Sequence, residues 1–287
     1  MVDELTKPDT TSRIQSHYDS RVEEYNERHF DEEGEYNPGA AIEEILVDRI
    51  IELDAKRVLD MGCGNGALVH RLCENGIDAV GFDLSEKMIA AGQSILKEDG
   101  FDPDRLVQAD FRDGIPFEGE FDVVTAIGLF PHLDKIKKNL QVVRDVLDTN
   151  GTSFIQFRNE LFNLYTMNEY TYHYIWDTIL GDVDVPTELS EEFDHRLQEV
   201  CRVNEEGVGQ TPESDNEGGF HNPITIPAKF EDAGFSVQDI YFYHYHPLPP
   251  EFRSVDETTY DEFARRFEHP HDWRGYFMAS AFVIEGC

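Results

Sequence analysis

The stretch VLDMGCGNGALVHRL, residues 58 to 72, leads an apolar run into Asp60, then through three closely spaced glycines into an amphipathic helical pattern. A strand, a glycine-rich turn and a helix in this order predict a ligand site at the carboxyl edge of a parallel sheet. Backbone N–H groups are available there, and glycine lets a ligand approach where a Cβ would block it. The question this stretch raises is which ligand suits Asp60.

Outward from this stretch, short apolar runs alternate with helical patterns, which predicts an α/β fold with helices on both faces of a parallel sheet. We predict strands at residues 56–62, 77–83, 104–110, 121–128 and 151–158, and a final strand at 276–286. Predicted helices occupy 67–75, 85–99 and 133–151, the last ending at Asn150-Gly151.

Composition excludes several classes of partner. The chain has 287 residues and a formal net charge of −35, so its surface should repel nucleic acid and anionic membranes. We find neither a long apolar run nor a signal peptide, and we expect a cytoplasmic protein. The four cysteines show no CxxC spacing, which predicts reduced thiols and no metal site.

The glycine loop leaves two ligand classes open. GCGNGA fits G-x-G-x-x-A, and Asp83 follows Gly62 by 21 residues, as in nicotinamide and flavin enzymes. Asp60 argues against a dinucleotide, because its carboxylate would face the pyrophosphate. A ligand with an ammonium and a sulfonium would suit Asp60, while Asp83 could take two ribose hydroxyls.

Four motifs in order, LDMGCGNG, GFDLS, QADF and FDVVTAIGLFPHL, resemble those of class I S-adenosylmethionine-dependent methyltransferases over roughly residues 40 to 158. The resemblance implies a Rossmann-like, doubly wound seven-stranded sheet with an antiparallel last strand, and S-adenosylmethionine as cofactor. Asp83 would then bind the ribose, Asp110 the adenine amino group, and Phe111 would pack near the ring. The implied cofactor contacts are Asp60, Gly62, Cys63, Gly64, Asn65, Gly66, Asp83, Leu84, Met88, Asp110, Phe111, Ile127 and Gly128.

An upstream segment, SHYDSRVEEYNERHF, is similar to the N-terminal helix that covers the cofactor in many members of the family. Tyr18 and Tyr25 could close the pocket, although both could equally serve helix packing. The stretch after residue 158 and the ending HDWRGYFMASAFVIEG resemble methyltransferases associated with surface-polysaccharide biosynthesis. That resemblance implies a sugar or nucleotide-sugar acceptor.

Transfer to a hydroxyl requires a general base, for which histidine is suited. The candidates are His132, after the fourth strand, His173 and His221, each of which could instead be a packing residue. The segment FRNELFNLYTMNEYTYHYIW is rich in amides and phenols, which bind polyols. The predicted acceptor contacts are Arg158, Asn159, Asn163, Asn168, Tyr170 and His244.

The sequence therefore predicts a cover segment (1–40), a cofactor-binding core (41–158), a helical acceptor-binding insertion (159–225) and the C-terminal part of the sheet (226–287). The expected function is methyl transfer to an oxygen or nitrogen of a small polar molecule by a monomer or homodimer. Methylation of a phenol or carboxylic acid, a nicotinamide-dependent oxidoreductase and a non-catalytic cofactor-binding regulator remain as alternatives.

Overall fold

The strands predicted around the glycine loop form in the computed structural model, which describes residues 10–22, 37–203 and 219–287. The sheet runs in the order β3-β2-β1-β4-β5-β8-β7, and β6 pairs with the end of β5. In the described ranges β8 alone runs antiparallel to its neighbours, which confirms the predicted fold class. The strands are β1 (Arg57–Met61), β2 (Asp78–Asp83), β3 (Leu106–Gln108), β4 (Phe121–Ala126), β5 (Leu147–Asn159), β6 (Phe220–His221), β7 (Val237–Tyr245) and β8 (Ala279–Gly286).

Helices flank the sheet and continue into the insertion between β5 and β6. They are α1 (Thr10–Asp19), α2 (Pro38–Glu52), α3 (Ala67–Glu74), α4 (Glu86–Glu98), α5 (Ile136–Val146), α6 (Glu169–His173), α7 (Thr187–Cys201), α8 (Ile226–Asp232), α9 (Glu257–Phe267) and α10 (Gly275–Met278), with a π-helical turn at Tyr174–Ile179. Within the ranges given above, no helix is both long and apolar enough to cross a membrane.

The helix predicted at 133–151 is shorter than expected, and its predicted end at Asn150-Gly151 is wrong. It begins at Ile136 and ends at Val146, and β5 starts at Leu147. Leu147 is buried and pairs with Phe121 of β4, so the chain gains a strand contact by leaving the helix early. Asn150 and Gly151 lie inside β5, where the pairing with β4 is irregular.

The core has one layer on each face of the sheet, because successive strand residues point to opposite sides. Val58 of β1 packs in the layer with helices α2, α3 and α4, and its neighbour Leu59 packs in the layer with α5 and α8. Both layers therefore hold the carboxyl ends of β1, β2 and β4 in fixed positions. The predicted division into four segments stays a prediction, and its first boundary falls inside α2.

Candidate functional site

A cleft opens where β1, β2 and β4 end, beneath helix α1. It is lined by Ile14, Gln15, Tyr18, Gly62, Gly64, Phe82, Asp83, Leu84, Ser85, Met88, Ala109, Asp110, Phe111, Arg112, Ile127, Gly128, Leu129, His132 and Leu133. Many of the residues predicted to bind a cofactor therefore lie together. Tyr25 falls outside the described residues.

The glycine loop uses its glycines for two different reasons. Gly64 has a φ of +54°, and a Cβ there would meet no atom within 4 Å, so its free side is the side of the cleft. Gly66, with a φ of +72°, ends the loop at α3, and a Cβ there would lie 2.5 Å from Cδ1 of Leu106. The first glycine keeps space open for a ligand, whereas the second permits packing behind the loop.

Asp83 at the end of β2 is held by backbone donors. Its Oδ2 accepts from the N–H of Gly64 at 3.0 Å, and its Oδ1 accepts from the N–H of Ser85 at 2.8 Å. Burial raises the pKa of this carboxyl, against the lowering effect of these hydrogen bonds. The carboxylate is thus fixed beside the loop and lines the cleft, as a partner for ligand hydroxyls requires.

Two glycines to which the sequence analysis assigned no role, Gly81 of the motif GFDLS and Gly92, hold the loop in place. A Cβ at Gly92 of α4 would lie 2.3 Å from the carbonyl oxygen of Asn65, and one at Gly81 would lie 2.7 Å from Cβ of Cys63. Cys63, Asn65 and Gly66 are absent from the cleft lining. They lie on the side of the loop that packs against the fold, and their role as cofactor contacts stays a prediction. The spacing of Gly92 within an otherwise amphipathic helix was the available signal.

An apolar slot extends from Asp83 toward Phe111. Leu84, Met88 and Phe111 line it. At its rim, Oδ1 of Asp110 accepts from the backbone N–H and the Nε of Arg112, both at 2.9 Å. Although burial opposes the change, these hydrogen bonds lower the pKa of Asp110. The slot thus combines an apolar lining with a hydrogen-bond acceptor, Asp110, at its rim.

The end of β4 forms the opposite wall. Ile127 and Gly128 line the cleft there, and the N–H of Gly128 donates to Oε1 of the buried Gln156 at 2.8 Å. Gln156, on β5, was not identified from the sequence. It fixes the turn that carries Ile127 and Leu129.

Helix α1 covers the cleft and is attached at two consecutive residues. Tyr18 Oη lies 2.9 Å from Nε2 of His132, with the two rings edge to face. Asp19 Oδ1 accepts from Ser85 Oγ at 2.5 Å, and the same Ser85 oxygen accepts from the N–H of Met88 at the start of α4. The cover therefore contacts both sides of the cleft.

His132 is the one predicted catalytic histidine that lines the cleft. Burial, assisted by the charges of Arg158 and His17, lowers the pKa of His132 to about 4. Its Nδ1 is buried and has no hydrogen-bond partner in the described residues. The imidazole is therefore neutral at physiological pH, which is the form that can accept a proton.

Asp60 is absent from the cleft lining, and its role as a cofactor contact stays a prediction. It is buried in β1, where Oδ1 accepts from Thr125 Oγ1 at 2.7 Å. Burial raises the pKa of Asp60 to about 7, with the hydrogen bond from Thr125 opposing and the charges of Glu43 and Asp83 adding to the rise. Asp60 therefore lies behind the cleft surface, and the charge argument against a dinucleotide stays a prediction.

His173 and His221 are placed elsewhere. His173 is buried in the insertion, edge-on to Tyr172, with its Nδ1 3.4 Å from the carboxylate of Asp177. His221 packs on Phe157 at 5.0 Å, and burial followed by the charge of Lys229 lowers its pKa to about 4. Neither lines the cleft, and the role of either residue as a base stays a prediction.

The amides predicted to bind the acceptor are used by the fold. Asn159 is fully buried; its side chain accepts from the N–H of Leu161 and donates to three backbone carbonyls around α10. Asn168 caps α6 by accepting from the N–H of Tyr170 at 3.0 Å. Asn163 is buried, and its backbone carbonyl accepts from the hydroxyls of two threonines. The side chains of Asn159 and Asn168 thus serve the fold, and the role of all three residues as acceptor contacts stays a prediction.

His244, predicted as an acceptor contact, lies outside the cleft lining. Its φ of +57° reverses the alternation of β7, so Tyr243 and Tyr245 pack in opposite layers. Its Nδ1 lies 2.8 Å from Ser280 Oγ, and its ring contacts His246 at 4.6 Å, away from the cleft lining. In the described part of the chain no group of three or more His, Cys, Asp or Glu side chains is arranged to hold a metal ion.

Arg158 and Tyr170 keep positions compatible with an acceptor site. Arg158, near the end of β5, is partly buried, and its Cζ lies 5.6 Å from the ring centroid of Phe220. Tyr170 meets the same ring edge-on at 5.8 Å. Arg158 is absent from the cleft lining, but its charge acts on His132, which belongs to that lining.

Comparison with known proteins agrees with this geometry. Residues 58–151 match a family model described as a methyltransferase domain. A ubiquinone biosynthesis O-methyltransferase from Azoarcus sp. (strain BH72) is 28% identical over 141 residues, 48% of this chain and 60% of that protein. A protein of the same name from Pseudomonas paraeruginosa (strain DSM 24068 / PA7) is 24% identical over 244 residues, 83% of this chain and 91% of the relative.

Among solved structures, magnesium protoporphyrin IX methyltransferase from Synechocystis PCC 6803 with bound SAH is similar over 96% of this chain and 98% of that one. The TM-score is 0.56 and the identity 14%. This similarity concerns the fold. The first curated relatives are matched over between 51% and 65% of their own length.

Proposed function

We propose that this chain, which carries a methyltransferase domain in the class I fold, transfers a methyl group from S-adenosylmethionine to an oxygen of a small polar acceptor. The observation that carries the proposal is the cleft itself. A backbone-held carboxylate, Asp83, stands beside the open face of Gly64, and a neutral histidine, His132, lies under the same cover helix.

The lining residues fit the cofactor. Asp83 would accept from the ribose hydroxyls, the slot of Leu84, Met88 and Phe111 would hold the adenine, and the glycine loop would receive the methionine part. Oδ2 of Asp110 remains available to the adenine amino group, because both bonds from Arg112 fall on Oδ1. When bound, S-adenosylmethionine supplies a methyl group that is already activated by the sulfonium. Helix α1 then excludes water, and positioning supplies much of the rate enhancement.

Proton removal from the acceptor is assigned to Tyr18 and His132. Nδ1 of His132 is buried, whereas Nε2 meets Tyr18 Oη at 2.9 Å. We therefore propose a relay in which Tyr18 gives its proton to Nε2 as it receives the proton of the acceptor hydroxyl. The low pKa of His132 keeps Nε2 unprotonated before the reaction.

The proposal for the acceptor has two parts, the atom that receives the methyl group and the chemical class of the molecule. An oxygen atom, rather than a nitrogen, follows the name O-methyltransferase of the curated relatives. A sugar or nucleotide-sugar acceptor is predicted partly from the amides after β5, and this support is weakened because the side chains of Asn159 and Asn168 serve the fold. A phenol or a carboxylic acid therefore stands on the same footing as a sugar.

The proposal is tested by thermal melting with S-adenosylhomocysteine, S-adenosylmethionine and NADH, each near 100 times a micromolar Kd. Binding at that excess adds about 2.7 kcal/mol to the free energy of unfolding. We expect a shift with the adenosyl ligands and none with NADH. A shift with NADH alone would overturn the proposal in favour of an oxidoreductase, and cofactor binding without turnover across an acceptor panel would favour a regulator.

The site is tested by Asp83→Asn. This change removes the charge beside the loop but preserves the shape of the side chain. We expect S-adenosylhomocysteine to bind at least about tenfold more weakly. The matched control is Asp113→Asn, an exposed carboxylate near the same cleft, which should bind like the unmodified protein.

A further inference from the structure

Arg158 differs from most other arginines of this chain. Arg49 donates to both carboxylate oxygens of Glu285, and Arg253 donates to both of Asp261. Arg158 is partly buried, and its backbone pairs with Phe220 and Ala281, yet its guanidinium forms no hydrogen bond and no ion pair with any residue in the described ranges. The chain has 59 acidic against 24 basic residues, so acidic partners are plentiful. Withdrawing a guanidinium from water without a partner costs free energy.

The surroundings of Arg158 leave its hydrogen-bonding fork open. The Phe220 ring, 5.6 Å from Cζ, can support the flat side of the guanidinium but offers no acceptor for its N–H groups. Tyr170 packs on Phe220, with the two ring centroids 5.8 Å apart, and so does not contribute an acceptor to Arg158 through this contact. On the cleft side the electrostatic neighbour is His132, a neutral imidazole. Arg158 is absent from the cleft lining itself, and its link to the cleft is its charge, which acts on His132 of that lining.

We propose that Arg158 binds an anionic group of the methyl acceptor, a carboxylate or a phosphate, and so orients a nearby hydroxyl toward Tyr18. The guanidinium fork matches two oxygens of either group. The inference rests on the proposed function and narrows its acceptor to an anionic hydroxyl compound. The overall charge of −35 strengthens this reading, because the rest of the surface repels anions and a binding preference for one needs a local cation.

The test compares each anion with a neutral molecule of the same shape. The probes are 3-hydroxybenzoate against 3-hydroxybenzamide for a carboxylate, and glucose 6-phosphate against glucose for a phosphate. Affinity is measured by calorimetry on the full chain, alone and saturated with S-adenosylhomocysteine. We expect the anion of at least one pair to bind about tenfold or more tightly than its neutral counterpart. The pair that shows the preference identifies carboxylate or phosphate as the source.

Arg158→Gln should abolish this preference and leave the neutral probe unchanged. The control is Arg196→Gln, which removes the same charge from an exposed position on α7. Arg158→Lys keeps the charge but lacks the guanidinium fork, so it should lower the affinity for the anionic probe several-fold. If the glutamine variant does not fold, the lysine variant provides the test. Equal affinities for anion and neutral probe in the unmodified protein, or a preference that survives in Arg158→Gln, would overturn the inference.

The same titrations separate this inference from the proposed function. Binding of S-adenosylhomocysteine with no preference for an anion overturns the role of Arg158 alone. A preference for an anion in a protein that does not bind S-adenosylhomocysteine supports the anion site and overturns the methyltransferase.

Discussion

Tyr18 Oη and His132 Nε2 lie 2.9 Å apart, although 114 residues separate them in the chain. The contact joins the cover helix to the end of β4. It brings a phenol and a neutral imidazole together at the wall of the cleft.

Tyr18→Phe should remove the proton relay and keep the cover. The Asp19–Ser85 hydrogen bond still holds α1, so we expect the affinity for S-adenosylhomocysteine to change less than about threefold. With the acceptor found in the panel, kcat should fall by roughly 10²-fold or more, as for loss of a general base. Tyr276→Phe, which removes a hydroxyl on the sheet side of the fold, is the control. If kcat is unchanged and S-adenosylhomocysteine binds more weakly, the proton relay is contradicted and Tyr18 serves only to cover the cleft.

The stability of the protein should depend on histidines at low pH. Burial is the main cause that lowers the pKa of His132 and His221 to about 4 and that of His246 to about 3. Unfolding restores the ordinary value of 6.5, so the unfolded chain binds more protons between pH 6.5 and 4. The free energy of unfolding should therefore fall as pH drops through this range. In His132→Gln, urea titrations should show a slope smaller by up to about 1.4 kcal/mol per pH unit; an identical slope would contradict the lowered pKa.

Asp60 should act in the opposite direction. Burial raises the pKa of Asp60 to about 7, so the folded protein binds the extra proton between pH 4 and 7. Its contribution to stability is present below about pH 4 and is lost as pH rises through 7. Asp60→Asn should gain stability relative to the unmodified protein over this range, by at most about 1.4 kcal/mol per pH unit. The exposed control Asp134→Asn should show no such trend, and a pH-independent difference for Asp60→Asn would refute the assignment.

Gly92→Ala should disturb the cofactor loop from behind. The added Cβ would lie 2.3 Å from the carbonyl oxygen of Asn65, which is backbone and must move. We expect a loss of about 1–3 kcal/mol in urea unfolding and weaker binding of S-adenosylhomocysteine. Ala90→Val, on the exposed side of the same helix, enlarges a side chain without this contact. Loss of binding in both variants would show that the helix, and not the Gly92 contact, is responsible.

The sequence predicts the parts of the site that depend on neighbours in the chain. The glycine loop and Asp83 are local patterns at strand ends, and the structure places them as the motifs imply. The Tyr18–His132 contact depends on how two distant elements meet, so no pattern within either segment contains it. The salt bridge between Arg112 and Asp110 could not be predicted either, because contact between residues two apart in the chain depends on the turn that joins them.

Several polar residues predicted as ligand contacts are used by the fold, and there is one physical reason why the sequence does not reveal this. Asn159 and Asn168 are each followed by a glutamate, a signature of a helix or turn N-terminus as much as of a polar site. An amide that caps a backbone and one that binds a ligand look alike in sequence, and only the surrounding carbonyls decide between them. The direction of His244 depends on a left-handed backbone that a non-glycine residue rarely adopts.

Tyr18 and Asp19 are adjacent, yet they fasten α1 to opposite sides of the cleft, to His132 and to Ser85. One helical turn therefore holds both sides of the cleft. Neither contact can open without displacing the other, because both residues belong to the same turn. Cofactor exchange and acceptor exchange should then share a single opening event. Spent cofactor and methylated product would leave through the same brief interval, so the residence time of one sets that of the other.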